Sequence, residues 1–235
     1  MIFARKDLAC CFSAKPYNMS LCHGDTQHSL ENRKKFLGLS DIPHQDLVCA
    51  KQIHSNNIYK AEDTDKGRGA LSYETAICDT DALITGERKL PLGIFTADCL
   101  PVFIYEPQVR VAAMVHAGWR STKKLICQRV IKKMSDEFDA DPERLLVGFG
   151  PAIRSCCYEV QDEFTRHFSY GLDKKDGKYY LDLARINIKQ LLESGVKQDS
   201  IYDSGICTAC PESAYFSFRR DGAGCGRMIS VIMLK

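Results

Sequence analysis

Eight short apolar runs, rich in β-branched and aromatic residues, punctuate the chain at 47–53, 82–85, 92–96, 102–105, 109–115, 145–149, 214–218 and 228–234. Runs of this length, bounded by turn-forming residues, predict strands and a strand-rich core. Between Trp119 and Phe138 the period changes. Cys127, Val130, Ile131, Met134 and Phe138 recur at helical spacing, while Lys123, Lys124, Arg129, Lys132 and Lys133 occupy other positions. This predicts an amphipathic surface helix whose basic face is solvated. Asp141-Pro142-Glu143 has the chemistry of a helix-start turn. Leu181, Ala184, Ile188 and Leu191 give a second helical stripe, with Gly195 as its stop. Strands alternate with helices in the middle of the chain and dominate later. The expected class is therefore α/β (α+β mixed), with mixed β-sheets forming a layered core flanked by helices. No repeat, low-complexity tract or linker divides residues 1–235, and the eight prolines are dispersed, so one domain is expected.

Thirty-two basic and thirty acidic residues leave a formal charge of +2. That balance gives no electrostatic reason to expect a nucleic-acid or membrane partner, and a small-molecule substrate is expected instead. The longest apolar stretches, 90–97 and 111–115, end far short of the roughly 20 residues that cross a bilayer. Arg5, Lys6 and Asp7 precede an apolar run, 8–14, too short for a signal peptide, so a cytoplasmic address is expected. Leu8-Ala9-Cys10 lacks the apolar segment that a lipoprotein signal requires. Twelve cysteines would suggest disulfides only in a short secreted chain. Cys10, Cys22, Cys49 and Cys127 read as small buried hydrophobes. The oligomeric state is not legible in the sequence.

Three residues with metal-ligating side chains occupy equivalent places: His54, Cys99 and His116 each sit where an apolar run gives way to a turn. Residues at strand ends converge readily on one pocket. Two imidazoles and a thiolate suit Zn²⁺, and three protein ligands leave a fourth position open, the catalytic arrangement. Copper is a less suitable occupant. The same residues also permit a thiol enzyme, with Cys99 as nucleophile, His116 or His54 as base, and Asp98 or Asp81 orienting that base. The plain alternative is a thiol and two histidines without a ligand. A further alternative is a zinc-stabilised binding module with no catalysis. Cys207 and Cys210 have C-x-x-C spacing but no second such pair, so they read as structural thiols. The neighbours Cys156 and Cys157 are not expected to chelate one metal in a simple way. Arg219-Arg220-Asp221 either holds an anion or pairs its own charges.

Thr96-Ala97-Asp98-Cys99-Leu100-Pro101-Val102 and His116-Ala117-Gly118-Trp119-Arg120 closely resemble the two central motifs of the bacterial YfiH-type family. Its members have carried the labels laccase-domain and multicopper polyphenol oxidase, and are also described as purine nucleoside phosphorylases. Gln52-Ile53-His54, Asp81-Ala82-Leu83-Ile84-Thr85, Gly150-Pro151-Ala152-Ile153, Cys156-Cys157-Tyr158-Glu159-Val160, Cys207-Thr208, Phe216-Ser217-Phe218-Arg219-Arg220-Asp221 and Gly226-Arg227-Met228 resemble its other blocks, in order.

The resemblance implies zinc held by His54, Cys99 and His116. It also implies phosphorolysis of adenosine, inosine, guanosine and methylthioadenosine, together with adenosine deamination. On this reading Cys99, His116, His54 and Asp98 are catalytic, with Asp98 or Asp81 moving a proton. Arg120, Arg219, Arg33 and Asp81 bind the nucleoside or phosphate. Six histidines in all are too few for a multicopper oxidase. The competing reading within the family is a zinc- or cysteine-dependent amidohydrolase that removes L-serine from the peptidoglycan precursor UDP-MurNAc-L-Ser. The chain departs from the family at its N-terminal loop, which is shortened, with Lys15 near the position of a usual arginine. Ser121 replaces a usual glycine.

Overall fold

A computed structural model describes residues 5–235. In chain order the strands are β1 (Leu8–Phe12), β2 (Val48–Cys49), β3 (Ile58–Lys60), β4 (Ala82–Thr85), β5 (Leu92–Thr96), β6 (Leu100–Glu106), β7 (Val111–Ala117), β8 (Leu146–Phe149), β9 (Glu159–Val160), β10 (Leu172–Lys175), β11 (Lys178–Leu181), β12 (Ile201–Asp203) and β13 (Met228–Leu234). The α-helices are α1 (Thr26–Gly38), α2 (Trp119–Lys123), α3 (Ile126–Phe138), α4 (Leu183–Glu193) and α5 (Phe218–Asp221).

The hairpin β6–β7 is the spine. Leu100 pairs with Ala117 and Glu106 with Val111, and every residue of both strands is buried. Strand side chains alternate between faces, so a hairpin buried throughout must be covered on both sides. On one face Leu100, Val102, Ile104, Val111, Ala113 and Val115 pack with Cys127, Val130, Ile131 and Met134 of α3 and Leu191 of α4. On the other, Phe103, Tyr105, Ala112 and Met114 meet Leu92, Ile94, Ile232 and Leu234 of a second sheet. Each such aliphatic side chain contributes about 1.5–3 kcal/mol on burial.

The spine lies in a six-stranded sheet of order β12-β8-β6-β7-β4-β3, and the facing sheet is β1-β13-β5-β2. Ile229, Val231 and Met233 of β13 point outward and are covered by Leu37 of α1 and by Met19. The layers therefore run helix, sheet, sheet, helix, a mixed α/β single core as the patterning predicts. A small sheet, β10-β11-β9, stands apart and is backed by Phe168, Leu181, Leu183 and Ile186.

Three sequence expectations are corrected. The run 47–53 is a strand only at β2, because the chain leaves the sheet after Ala50 for a loop whose turn at His54 has φ +59°. Residues 214–218 form no strand; Phe216 donates its N–H to the Met228 sulfur, and Ser217 caps α5 instead. The helix expected over 119–138 is broken at Leu125, whose left-handed conformation (φ +61°) redirects the chain so that α2 and α3 separate. Asn187 and Gln190 of α4 tie down the short α2, donating to the Thr122 hydroxyl and carbonyl at 3.0 Å each. None of the twelve cysteines is in a disulfide.

Candidate metal centre and its cavity

His54, Cys99 and His116 come from three separate parts of the sequence, and their ligand atoms lie within 4.8 Å of one another. Cys99 Sγ is 3.8 Å from His54 Nε2, and the two imidazole rings meet edge to face with centroids 4.8 Å apart. A tetrahedral zinc ion with bonds of about 2.0–2.3 Å needs its donors roughly 3.3–3.6 Å apart, so small side-chain rotations close this set on one ion. Gly118 makes the approach possible: a Cβ there would stand 2.9 Å from the Cys99 sulfur and 3.0 Å from the His54 ring.

Asp81 arranges both histidines. Its carboxylate accepts from His116 Nδ1 at 2.8 Å, which leaves Nε2 to face the other two ligands. It also accepts the backbone N–H groups of Ile53, His54 and Ser55 at 3.3, 3.0 and 2.6 Å, and the Ser55 hydroxyl at 2.7 Å. Three successive N–H groups gathered on one carboxylate hold the left-handed turn at His54 against its intrinsic cost. Burial pushes the Asp81 pKa up, but these hydrogen bonds, first that of His116, bring it down to about 2.

Desolvation also opposes the charged forms of the half-buried Cys99 and the buried His116, and their mutual attraction wins. The Cys99 thiol is held below its ordinary range by the charge and hydrogen bond of His116 and by His54. His116 is raised by the Cys99 charge and by Asp81. The protein thus favours the thiolate, the form of cysteine that binds a metal.

Asp98, with φ +86°, joins β5 to β6 immediately before Cys99. Its carboxylate accepts from the Thr208 hydroxyl at 2.6 Å and from Arg219 N at 2.7 Å, and its carbonyl accepts from Ile153 N at 2.9 Å. Both carboxylate oxygens are thus engaged in fixing the wall that carries Cys99. Asp98 also lines the cavity beside the trio.

The trio opens into a cavity of about 570 Å³. Its walls include the aromatic residues Tyr73, Phe95, Trp119, Tyr158 and Phe218, and the cations Arg120, Arg219 and Arg227. Arg120 stacks 4.2 Å over Trp119, and Arg219 lies 5.2 Å over Tyr158 while donating to the Glu159 carbonyl. Burial, with the nearby Cys99 charge, raises the Tyr158 pKa and keeps its hydroxyl protonated. The Thr96 hydroxyl, at the same wall, is buried without a hydrogen-bond partner.

Two expected substrate contacts are engaged by the protein itself. Arg33 lines the cavity but is 1% exposed, and its guanidinium donates to the carbonyls of Met19, Gly69 and Ala70, pinning two loops together at the cavity wall. Asp81 is fully buried behind the histidines. Lys15 lies outside the cavity lining, 3.7 Å from Asp221. Tyr158, Phe218, His23 and Arg227 also line the cavity, although no chemical pattern in the sequence marks them as site residues. Arg227 donates to His23 Nε2, bringing opposite ends of the chain to the cavity, and only the Gly226-Arg227-Met228 block hinted at it. Cys207 and Cys210, which read as structural thiols, and Cys156 and Cys157, not expected to chelate one metal in a simple way, come together in a second cluster.

A family model described as multi-copper polyphenol oxidoreductase laccase matches residues 6–235. The purine nucleoside phosphorylase YlmD of Bacillus subtilis is 32% identical over 221 residues, covering 91% of this chain and 80% of that protein. Adenosine deaminase RL5, from an unknown prokaryotic organism, is 31% identical over 199 residues, covering 81% and 76%. The crystal structure of YlmD from Geobacillus stearothermophilus superposes with a TM-score of 0.93 at 31% identity, covering 98% of this chain and 93% of that one.

Proposed function

The chain belongs to the family described as multi-copper polyphenol oxidoreductase laccase, and on that premise we propose that it is a zinc-dependent purine nucleoside phosphorylase. Its proposed substrates are adenosine, inosine, guanosine and methylthioadenosine, and it also deaminates adenosine. Relatives bearing the names purine nucleoside phosphorylase and adenosine deaminase support the reaction classes. The observation that carries the reading is the convergence of His54, Cys99 and His116 on a cavity with aromatic walls and a cationic rim.

Zinc is the best fit to a donor set of two imidazoles and one thiolate, and when bound it supplies a Lewis acid at the floor of the cavity. The remaining work falls to the protein. Trp119, Phe95 and Tyr158 offer flat faces for a purine and exclude water from it. Arg120 and Arg219, both on the cavity wall, would hold phosphate against the ribose, where fixing the two reactants supplies much of the rate gain. The protonated Tyr158 hydroxyl donates to a purine nitrogen or ribose oxygen. Asp81 keeps the His116 Nδ1 proton in place, so that Nε2 stays a ligand.

The test incubates zinc-loaded protein with inosine, with and without inorganic phosphate, and with adenosine. Expected are phosphate-dependent hypoxanthine and ribose 1-phosphate, and inosine from adenosine. Loss of both by at least about a hundredfold is expected in Cys99→Ser. Absence of turnover with every purine nucleoside would overturn the reading. Release of serine from UDP-MurNAc-L-Ser in its place would make the chain an amidohydrolase.

A further inference from the structure

We propose that Cys156, Cys157, Cys207 and Cys210 form a second metal centre, a closed tetrathiolate that takes one zinc ion and serves structure rather than chemistry. This centre is independent of the nucleoside reading.

All four sulfurs lie within 4.8 Å of one another. Cys210 Sγ is 3.8 Å from Cys156 Sγ and 3.7 Å from Cys157 Sγ. A tetrahedral ion with Zn–S bonds of about 2.3 Å sets its sulfurs about 3.8 Å apart, whereas a disulfide brings them to about 2.05 Å. A cluster bridged by inorganic sulfide would need a wider cradle. The spacing therefore suits a single ion.

The backbone explains how adjacent cysteines reach one point. Residues 155–157 form a tight turn in which Cys157 N and Tyr158 N both donate to the Arg154 carbonyl, at 2.9 and 2.8 Å, rolling both side chains to one side. Opposite, Ala152 bridges to Cys207, and Thr208 N donates to the Ala152 carbonyl. This sets the C-x-x-C segment against the turn. Arg220 clamps that segment through the carbonyls of Thr208 and Cys210, at 2.8 and 2.9 Å. Four protein sulfurs leave no open coordination position, which marks the site as structural. The ion would fasten together the segment that brings Tyr158 to the cavity wall and the segment whose Thr208 hydroxyl donates to Asp98 of that wall.

Elemental analysis of protein prepared under reducing conditions and loaded with zinc tests this. About two zinc ions per chain are expected, falling to one in a Cys156→Ser/Cys210→Ser variant. In a His54→Ala/Cys99→Ser variant, the one zinc that remains should show only sulfur neighbours by X-ray absorption. If the serine variant fails to fold, the second variant decides alone. Nitrogen or oxygen in its metal shell, no bound metal, iron in place of zinc, or a disulfide among the four cysteines would each overturn the proposal.

Discussion

The Asp81 carboxylate carries five hydrogen bonds: one from the ring that faces the site, three from the backbone of the turn presenting the other histidine, and one from the Ser55 hydroxyl. Replacing it with asparagine keeps the shape, but it turns an amide N–H₂ toward donors and removes the charge that orients His116. Asp81→Asn is expected to weaken metal binding by about 10–100-fold, read by competition with a chelator, while the folded circular dichroism spectrum is retained. Residue identity made Asp81 and Arg33 look like substrate contacts, since charged side chains are rarely buried unless paired. The partners of Arg33, the Met19, Gly69 and Ala70 carbonyls, are main-chain atoms, which no side-chain pattern reveals.

Among the elements, the junction between β7 and α2 is the most demanding. Gly118 caps α2 with an ordinary φ of −71°, so its requirement is for space rather than backbone freedom. Gly118→Ala is expected to push the Cys99 and His54 side chains apart. Metal affinity and turnover should fall at least tenfold, with the melting temperature nearly unchanged, as judged by metal titration beside thermal unfolding. Most central strands were readable because each is a short, unbroken apolar run. The break at Leu125 was not, because the α3 stripe is in phase on its own side and a left-handed leucine 44% exposed carries no composition cue. The run 214–218 failed for the opposite reason: its aromatic residues pack singly, Tyr215 against Phe12 at 6.1 Å, and never pair as a strand.

Across the whole molecule, the two large sheets are joined by polar as well as apolar contacts. The Tyr105 hydroxyl of β6 donates to Asp7, just before β1, at 2.7 Å. Burial, and then this hydrogen bond to a carboxylate, push the Tyr105 pKa up from 10.0 to about 12. A raised native pKa means that unfolding releases the proton more readily. The contribution is therefore complete below pH 10 and is lost as pH rises through about 12. Urea midpoints measured from pH 9 upward should fall more steeply in the natural protein than in Tyr105→Phe. The layered fold class was legible from patterning, and the trio from its side-chain chemistry, although His54 lies in a loop beyond β2 and His116 within β7 rather than at strand ends. Strand order was not: β13 lies between β1 and β5, a pairing set by stacking on β7 and not by any local signal.

That placement has a consequence for synthesis. Strand β5, which leads into Asp98 and Cys99, pairs along its whole length with residues 228–232 of β13, made more than a hundred residues later. A ribosome still translating α4 has already produced His54, Cys99 and His116, yet the sheet that aims Cys99 is missing its middle strand. During that interval the thiol and its neighbours are exposed to passing metal ions and oxidants without the geometry that would select among them. The geometry that would select a metal at the proposed site is therefore complete only once β13 has paired with β5.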